Sequence, residues 1–159
     1  MPVPVVGKPA PAFSLPSSTG KKIALKDLKG RPVVLYFYPK DDTPGCTQEA
    51  CGFRDAYKRF PDLGAMLLGV SPDSLAKHEK FIKEYSLPFP LLADEDHSVA
   101  EKYGVWQEKS LYGRKYMGIA RTTFVINSAG KIAKVFEKVK PAGHEGEVLA
   151  ALEALSENR

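Results

Sequence analysis

Val33-Val34-Leu35-Tyr36-Phe37-Tyr38, followed at once by Pro39-Lys40-Asp41-Asp42-Thr43-Pro44-Gly45-Cys46-Thr47-Gln48-Glu49-Ala50-Cys51, is the passage on which the reading of this chain turns. The first six residues are continuously apolar, β-branched or aromatic, as in a central strand buried on both faces. The residues after them open a helix. Thr43 stands as N-cap, and Pro44 as the first helical residue, where its missing N–H costs nothing. Cys46 then falls in the first turn, where free backbone N–H groups and the helix dipole favour negative charge. A thiol so placed ionises more readily than a free cysteine. Both cysteines of the chain lie in this stretch, so it points to thiolate chemistry.

Outward from this centre the pattern alternates. Downstream, Ala50, Phe53, Tyr57 and Phe60 recur at helical spacing, and Met66–Val70 reads as a second buried strand. Ser71-Pro72-Asp73 is placed to cap a helix whose inner face carries Phe81, Ile82 and Tyr85. Phe89–Leu92 is short and extended, and a helix through Val99, Ala100 and Tyr103 ends at Gly104. Residues 105–119, with Trp106, Tyr112 and Tyr116, read as a long loop placed to line the site. Arg121–Ile126 is a third strong strand, turned by Asn127-Ser128-Ala129-Gly130 into Lys131–Phe136, and Gly146–Leu155 is a closing helix with Val148, Leu149, Leu152 and Leu155 inward. Upstream, prolines at 2, 4, 9 and 11 mark an extended lead-in. Two short alternating segments, Ala12–Pro16 and Lys22–Leu25, form a hairpin about Ser17-Ser18-Thr19-Gly20. The early β–α alternation implies parallel strands and the late hairpin adds antiparallel pairing. The expectation is a single α/β domain, residues 1–159, with a mixed central sheet flanked by helices.

Composition narrows the function. With 43% hydrophobic and 26% charged residues the chain is an ordinary globular protein. The net charge of +4 is spread along the chain without a basic block, which speaks against nucleic-acid binding. No apolar run approaches the roughly 18 residues of a membrane span, and the first residues lack the pattern of a secretory signal, so the expected location is cytoplasmic. In a reducing compartment a cysteine pair is more often catalytic or metal-binding than structural. The two cysteines and scattered His78, His97 and His144 show no metal-ligand spacing, so no metal is expected.

Cys46 and Cys51 are five residues apart. In a continuous helix their Cα atoms are separated by about 7.5 Å along the axis and roughly 140° around it. A disulfide needs Cα atoms within about 4.4–6.8 Å, so the sulfurs bond only if the first turns unwind. On spacing alone a second reading stands beside the catalytic one: both cysteines are small buried hydrophobes.

The motif Pro39-x-x-x-Thr43-x-x-Cys46 after an apolar strand resembles the active-site motif of peroxiredoxins. Thr43-Pro44-Gly45-Cys46-Thr47-x-x-x-Cys51 is similar to the bacterioferritin comigratory protein or peroxiredoxin Q subgroup. Phe53-Arg54-Asp55, Gly69-Val70-Ser71, Tyr103-Gly104-Val105-Trp106 and Arg121-Thr122-Thr123-Phe124-Val125-Ile126 extend the likeness from about Gly7 to Leu155. The resemblance implies a thioredoxin-like fold with an N-terminal β-hairpin extension, and reduction of hydrogen peroxide and organic hydroperoxides with no cofactor. It implies Cys46 as the peroxidatic nucleophile that becomes a sulfenic acid, and Cys51 as the resolving cysteine that closes an intrachain disulfide. Arg121 would contact thiolate and peroxide, Thr43 would hydrogen-bond the sulfur and orient the peroxide, and Pro39 would shield the sulfur from water. Thioredoxin or a similar dithiol would return the electrons. Since the intrachain pair needs no second subunit, a monomer is expected. Glu49 and Trp106 match the subgroup pattern and are expected to serve packing and hydrogen bonding only. Two other functions compete: a non-enzymatic redox sensor or binding module, and a protein thiol–disulfide oxidoreductase, against which the absence of Cys-x-x-Cys speaks.

Overall fold

The computed structural model describes residues 2–157. Its centre is the strand the sequence marks most strongly, β3 (Val33–Phe37), with every residue buried. On one side β3 pairs in parallel with β4 (Met66–Ser71), which pairs in parallel with β5 (Leu91–Ala93). On the other side β8 (Thr122–Ile126) runs antiparallel to β3, and β9 (Ile132–Phe136) antiparallel to β8. The five-stranded order is thus β5-β4-β3-β8-β9, the mixed sheet expected. β1 (Ser14–Pro16) and β2 (Lys22–Ala24) form the expected N-terminal hairpin, bridged to the main sheet at Ser17–Leu92.

Alternation along β3 divides the core in two. Val34, Tyr36 and Tyr38 face α1 (Pro44–Asp55), α2 (Arg59–Asp62), α3 (Leu75–Tyr85) and α5 (His144–Glu157), packing with Cys46, Phe53, Phe60, Phe81 and Leu149. Val33, Leu35 and Phe37 face the other layer, with Phe13 and Leu15, Leu28 of the 3₁₀ turn Leu25–Leu28, and Val99 of α4 (Ser98–Lys102). Period-2 side-chain alternation on a strand buried on both faces is what gives one short segment two cores to hold.

Three expectations are corrected. Residues 105–119 are not a loop but a hairpin, β6 (Trp106–Leu111) with β7 (Arg114–Ile119), in a separate two-stranded sheet. Most of its side chains are exposed on both faces, so it carries no apolar alternation to read, and Tyr112 and Gly113 turn it with positive φ at both positions, a geometry usually signalled by Asn-Gly or Asp-Gly. The helix beginning at Pro44 stops at Asp55, and the periodic Tyr57 and Phe60 continue the apolar face across a turn and into α2. The cap of α3 is Ser74, whose hydroxyl accepts from the Lys77 amide, while Ser71 and Asp73 serve another purpose. Among the described residues no helix is long and apolar enough to cross a membrane.

Candidate active site

The turn from β3 into α1 is clamped from below. The Tyr38 hydroxyl donates to Asp41 Oδ1 at 2.5 Å, and the Asp41 amide donates to Asp73 Oδ2 at 2.8 Å, which also accepts from the Ser71 hydroxyl at 2.7 Å. His78 is fully buried with Nδ1 2.6 Å from Asp41 Oδ2 and Nε2 2.9 Å from the Leu92 carbonyl. A carbonyl only accepts, so Nε2 carries a hydrogen, and the second proton of the pair lies between Nδ1 and Asp41. Asp41, Asp73 and His78 are the cluster among the described residues whose donor atoms, within 4.8 Å of one another, could hold a metal ion, and these atoms are spent on the hydrogen bonds just given. The network ties the loop to β4, β5 and α3, and nothing local in the sequence announces it, because its members are up to 37 residues apart.

Above this clamp Asp42 turns the chain with φ of 60°, and Thr43 takes the extended conformation of an N-cap, its carbonyl accepting from the Thr47 amide at 2.8 Å. Its side chain makes no cap bond: the hydroxyl donates to the Lys40 carbonyl at 2.9 Å. With its one hydrogen committed there, the oxygen is left as an acceptor toward any further partner. Among the described residues no hydrogen bond joins Thr43 to the sulfur. Pro39 is half-buried, two residues past the end of β3.

Cys46 lies in the first turn of α1, 1% exposed. Arg121, immediately before β8, brings Nη2 to 3.3 Å from its Sγ and Nη1 to 2.6 Å from Glu49 Oε1. Gly45 makes room for this fork, since a Cβ there would stand 3.2 Å from Nη2. Burial works against the Arg121 charge, but Glu49 and Cys46 outweigh it and hold the guanidinium more firmly protonated than usual. Glu49 has no exposed side-chain surface, and burial pushes its carboxyl up to about 7, with Arg121 pulling the other way. The hydrogen bonding expected of Glu49 is thus made to Arg121, the same guanidinium that reaches Cys46. The spacing of Glu49 from Cys46 puts both on one face of the helix, and that is the signal that could have revealed the shared partner.

Lys109 of β6 feels the charges of the site: burial, and then Arg121, draw its pKa down, while Cys46 raises it. Trp106 stacks on His97 at 3.9 Å, the packing role expected of it. Cys51 is partly buried in the middle of the same unbroken helix, and both cysteines are free thiols. For ideal helix geometry their Cα atoms are about 8.7 Å apart, outside disulfide range. At the N-terminus of α5 His144 sits between the rings of Phe53 and Phe136, its Nε2 2.8 Å from Thr123 Oγ1, and burial drops its pKa to about 4.

A buried cysteine at a helix start, gripped by an arginine from the neighbouring antiparallel strand, defines a thiol-based redox enzyme on a thioredoxin-like sheet. Comparison with known proteins gives the lineage. The profile of the AhpC/TSA family matches residues 6–135. A putative peroxiredoxin Bcp of Coxiella burnetii is 52% identical over 147 residues, 92% of this chain and 97% of that protein. Peroxiredoxin Bcp of Bacillus subtilis is 48% identical over 152 residues, covering 96% and 97%. The structure of the Xanthomonas campestris bacterioferritin comigratory protein superposes with a TM-score of 0.89 at 38% identity, over 96% of this chain and 99% of that one. A cysteine-to-serine variant of Xylella fastidiosa peroxiredoxin Q gives 0.91 at 34%, over 96% and 98%. The chain belongs to the AhpC/TSA family, within its Bcp/peroxiredoxin Q branch. It is a peroxiredoxin, an enzyme that reduces hydroperoxides at a cysteine thiol.

Proposed function

We propose that Cys46 is the nucleophile and Cys51 the resolving thiol of this peroxidase, the whole chain, residues 1–159, acting as one thioredoxin-like domain. The observation that carries the reading is the contact of Arg121 Nη2 with Cys46 Sγ at 3.3 Å in the first turn of α1. A guanidinium that keeps its charge at any working pH favours the thiolate and then the oxyanion that develops on the peroxide. Thr43 Oγ1, an acceptor because its hydrogen goes to Lys40, takes the O–H of the bound hydroperoxide. Pro39, without an amide hydrogen, closes the side of the pocket and keeps water from the sulfur.

In the first step the Cys46 thiolate attacks the terminal peroxide oxygen. The O–O bond breaks, the sulfur is oxidised to a sulfenic acid, and water or an alcohol leaves. The Cys51 thiol then attacks that sulfur and expels water, forming a 46–51 disulfide. This step requires the start of α1 to unwind, since the intact helix holds the Cα atoms too far apart. Thioredoxin or a similar dithiol reduces the exposed disulfide by exchange. The X. campestris relative was studied for alkyl peroxide reduction, which supports organic hydroperoxides beside hydrogen peroxide as substrates. Both cysteines lie on one helix, so no second subunit is needed and the enzyme works as a monomer. Paired free thiols suit the reducing cytoplasm.

Cys46→Ser is expected to abolish peroxide consumption. Cys51→Ser is expected to form the sulfenic acid and lose thioredoxin-linked recycling. The oxidised wild-type protein is expected to show the 46–51 bond in peptide mass spectra. Normal cycling of Cys51→Ser with thioredoxin would refute the resolving role.

A further inference from the structure

Two acids converge on one cation inside this protein. Arg121 reaches Cys46 with one nitrogen and Glu49 with the other, and the Glu49 side chain has no contact with solvent. Glu49 Oε2 meets no donor among the described residues, and the buried Tyr36 hydroxyl, also unpartnered, feels the charges of Glu49 first and Cys46 next. An ionised carboxylate with one oxygen unsatisfied in the interior is poorly held, whereas a carboxylic acid there is cheap. The other charged or titratable groups facing this point are Lys109 from β6, His144 and Glu145 from α5, and Asp41 through Tyr36. His144 is neutral near pH 7, and Lys109, its pKa drawn down by burial and then Arg121, makes no hydrogen bond or ion pair with Glu49 or Cys46 among the described residues. Arg121 is therefore the cation that thiolate and carboxylate share.

We propose that Glu49 is the charge-compensating acid of the peroxidase step: it holds a proton while Cys46 is a thiolate, and releases it when the sulfur becomes a neutral sulfenic acid and leaves Arg121 to the carboxylate alone. This rests on the reading of Cys46 as the nucleophile. The step balances as Cys46–S⁻ + Glu49–COOH + ROOH → Cys46–SOH + Glu49–COO⁻ + ROH. The O–O bond breaks and an S–O bond forms. Sulfur is oxidised, peroxide is reduced, and the proton that the leaving alkoxide takes up equals the one Glu49 gives to solvent. The site thus carries one negative charge before and after, against one buried guanidinium. Glu49 works through Arg121 and is a positioning residue, not a group in contact with the peroxide. Burial, with Arg121 pulling the other way, holds the Glu49 carboxyl up at about 7, and a second negative charge on the same guanidinium disfavours its ionised form further.

The test is proton stoichiometry in a single turnover, in weak buffer with an indicator dye, using Cys51→Ser protein so that oxidation stops at Cys46. At about pH 7.5 the protein with Glu49 is expected to take up well under one proton per Cys46 oxidised, about half or less, and its Glu49→Gln counterpart about one. Gln keeps the shape and the bond to Arg121 but cannot release a proton. Within the Glu49 protein alone, uptake is expected to climb toward about one by pH 9.5, where the carboxylate is ionised in both states. Mass spectrometry counts the oxygen added at Cys46. If Cys46 gains none, the nucleophile assignment falls and takes this proposal with it. If Cys46 is oxidised in both proteins with equal proton uptake, or if uptake in the Glu49 protein is flat with pH, only the proposal falls.

Discussion

Acidification should weaken this fold through one residue in particular, His144. The ring is 1% exposed, wedged between Phe53 and Phe136, with Nε2 on the Thr123 hydroxyl. Burial lowers its pKa to about 4 from the ordinary 6.5. For a base whose folded pKa is depressed, the unfolded chain binds the proton first as pH falls. Its contribution to stability is therefore complete above about 6.5 and is lost progressively down to about 4. Each pKa unit corresponds to about 1.36 kcal/mol, so the full span is worth about 3 kcal/mol, and about 2 kcal/mol is gone by pH 5. Urea unfolding of the reduced protein at about pH 7.5 and pH 5, for wild type and His144→Gln, isolates this amount. The variant is expected to be less stable at the higher pH, because it loses ring packing, and to lose about 2 kcal/mol less on acidification. Glu49 acts with the opposite sign, its raised pKa favouring the folded state at low pH, but it is common to both proteins and cancels in the comparison. Equal losses in the two proteins would refute the assignment of a neutral, buried His144.

The remaining expectations can be tested by substitution. Arg121→Lys replaces a two-nitrogen fork by a point charge that cannot serve Cys46 and Glu49 together. Peroxide oxidation of Cys46, followed by stopped flow, should slow by roughly 10²–10³-fold, about the cost of one oxyanion-stabilising donor. Asp41→Asn removes the carboxylate that His78 and Tyr38 share, and should cost about 3 kcal/mol in urea unfolding with faster amide exchange across residues 40–43. Gly69→Ala would set a Cβ 2.7 Å from Leu91 and 2.9 Å from Tyr36 in the buried middle of β4, so thermal unfolding should show a loss of about 1–3 kcal/mol.

The sheet was legible because its strands carry the chain's main apolar runs, and the centrality of β3 followed from its having no polar face. Cys46 and Arg121 were legible too, one from its place at a helix start, the other through the family motif. What stayed hidden has a common cause. β6 and β7 are held mainly by pairing with each other, so exposed side chains alternate with nothing. The Asp41–Asp73–His78 clamp is assembled by the fold from loop, strand end and helix, and no sequence window contains it. Glu49 was marked by the subgroup pattern and given a hydrogen-bonding role, but its partner stayed hidden, because Arg121 arrives from 72 positions away.

The clamp at Asp41 has a mechanical meaning. Downstream the chain is fastened again at Phe53, fully buried against Tyr36, Phe60, Phe89 and His144. Residues 42–52 are thus a rope tied at two posts, and winding it into a helix stores slack. Helical residues advance about 1.5 Å each, extended ones up to about 3.3 Å, so uncoiling more than doubles the available reach without moving either post. The unwinding that the proposed 46–51 disulfide requires can therefore be confined to this rope, with the sheet on one side and the aromatic cluster on the other left in place.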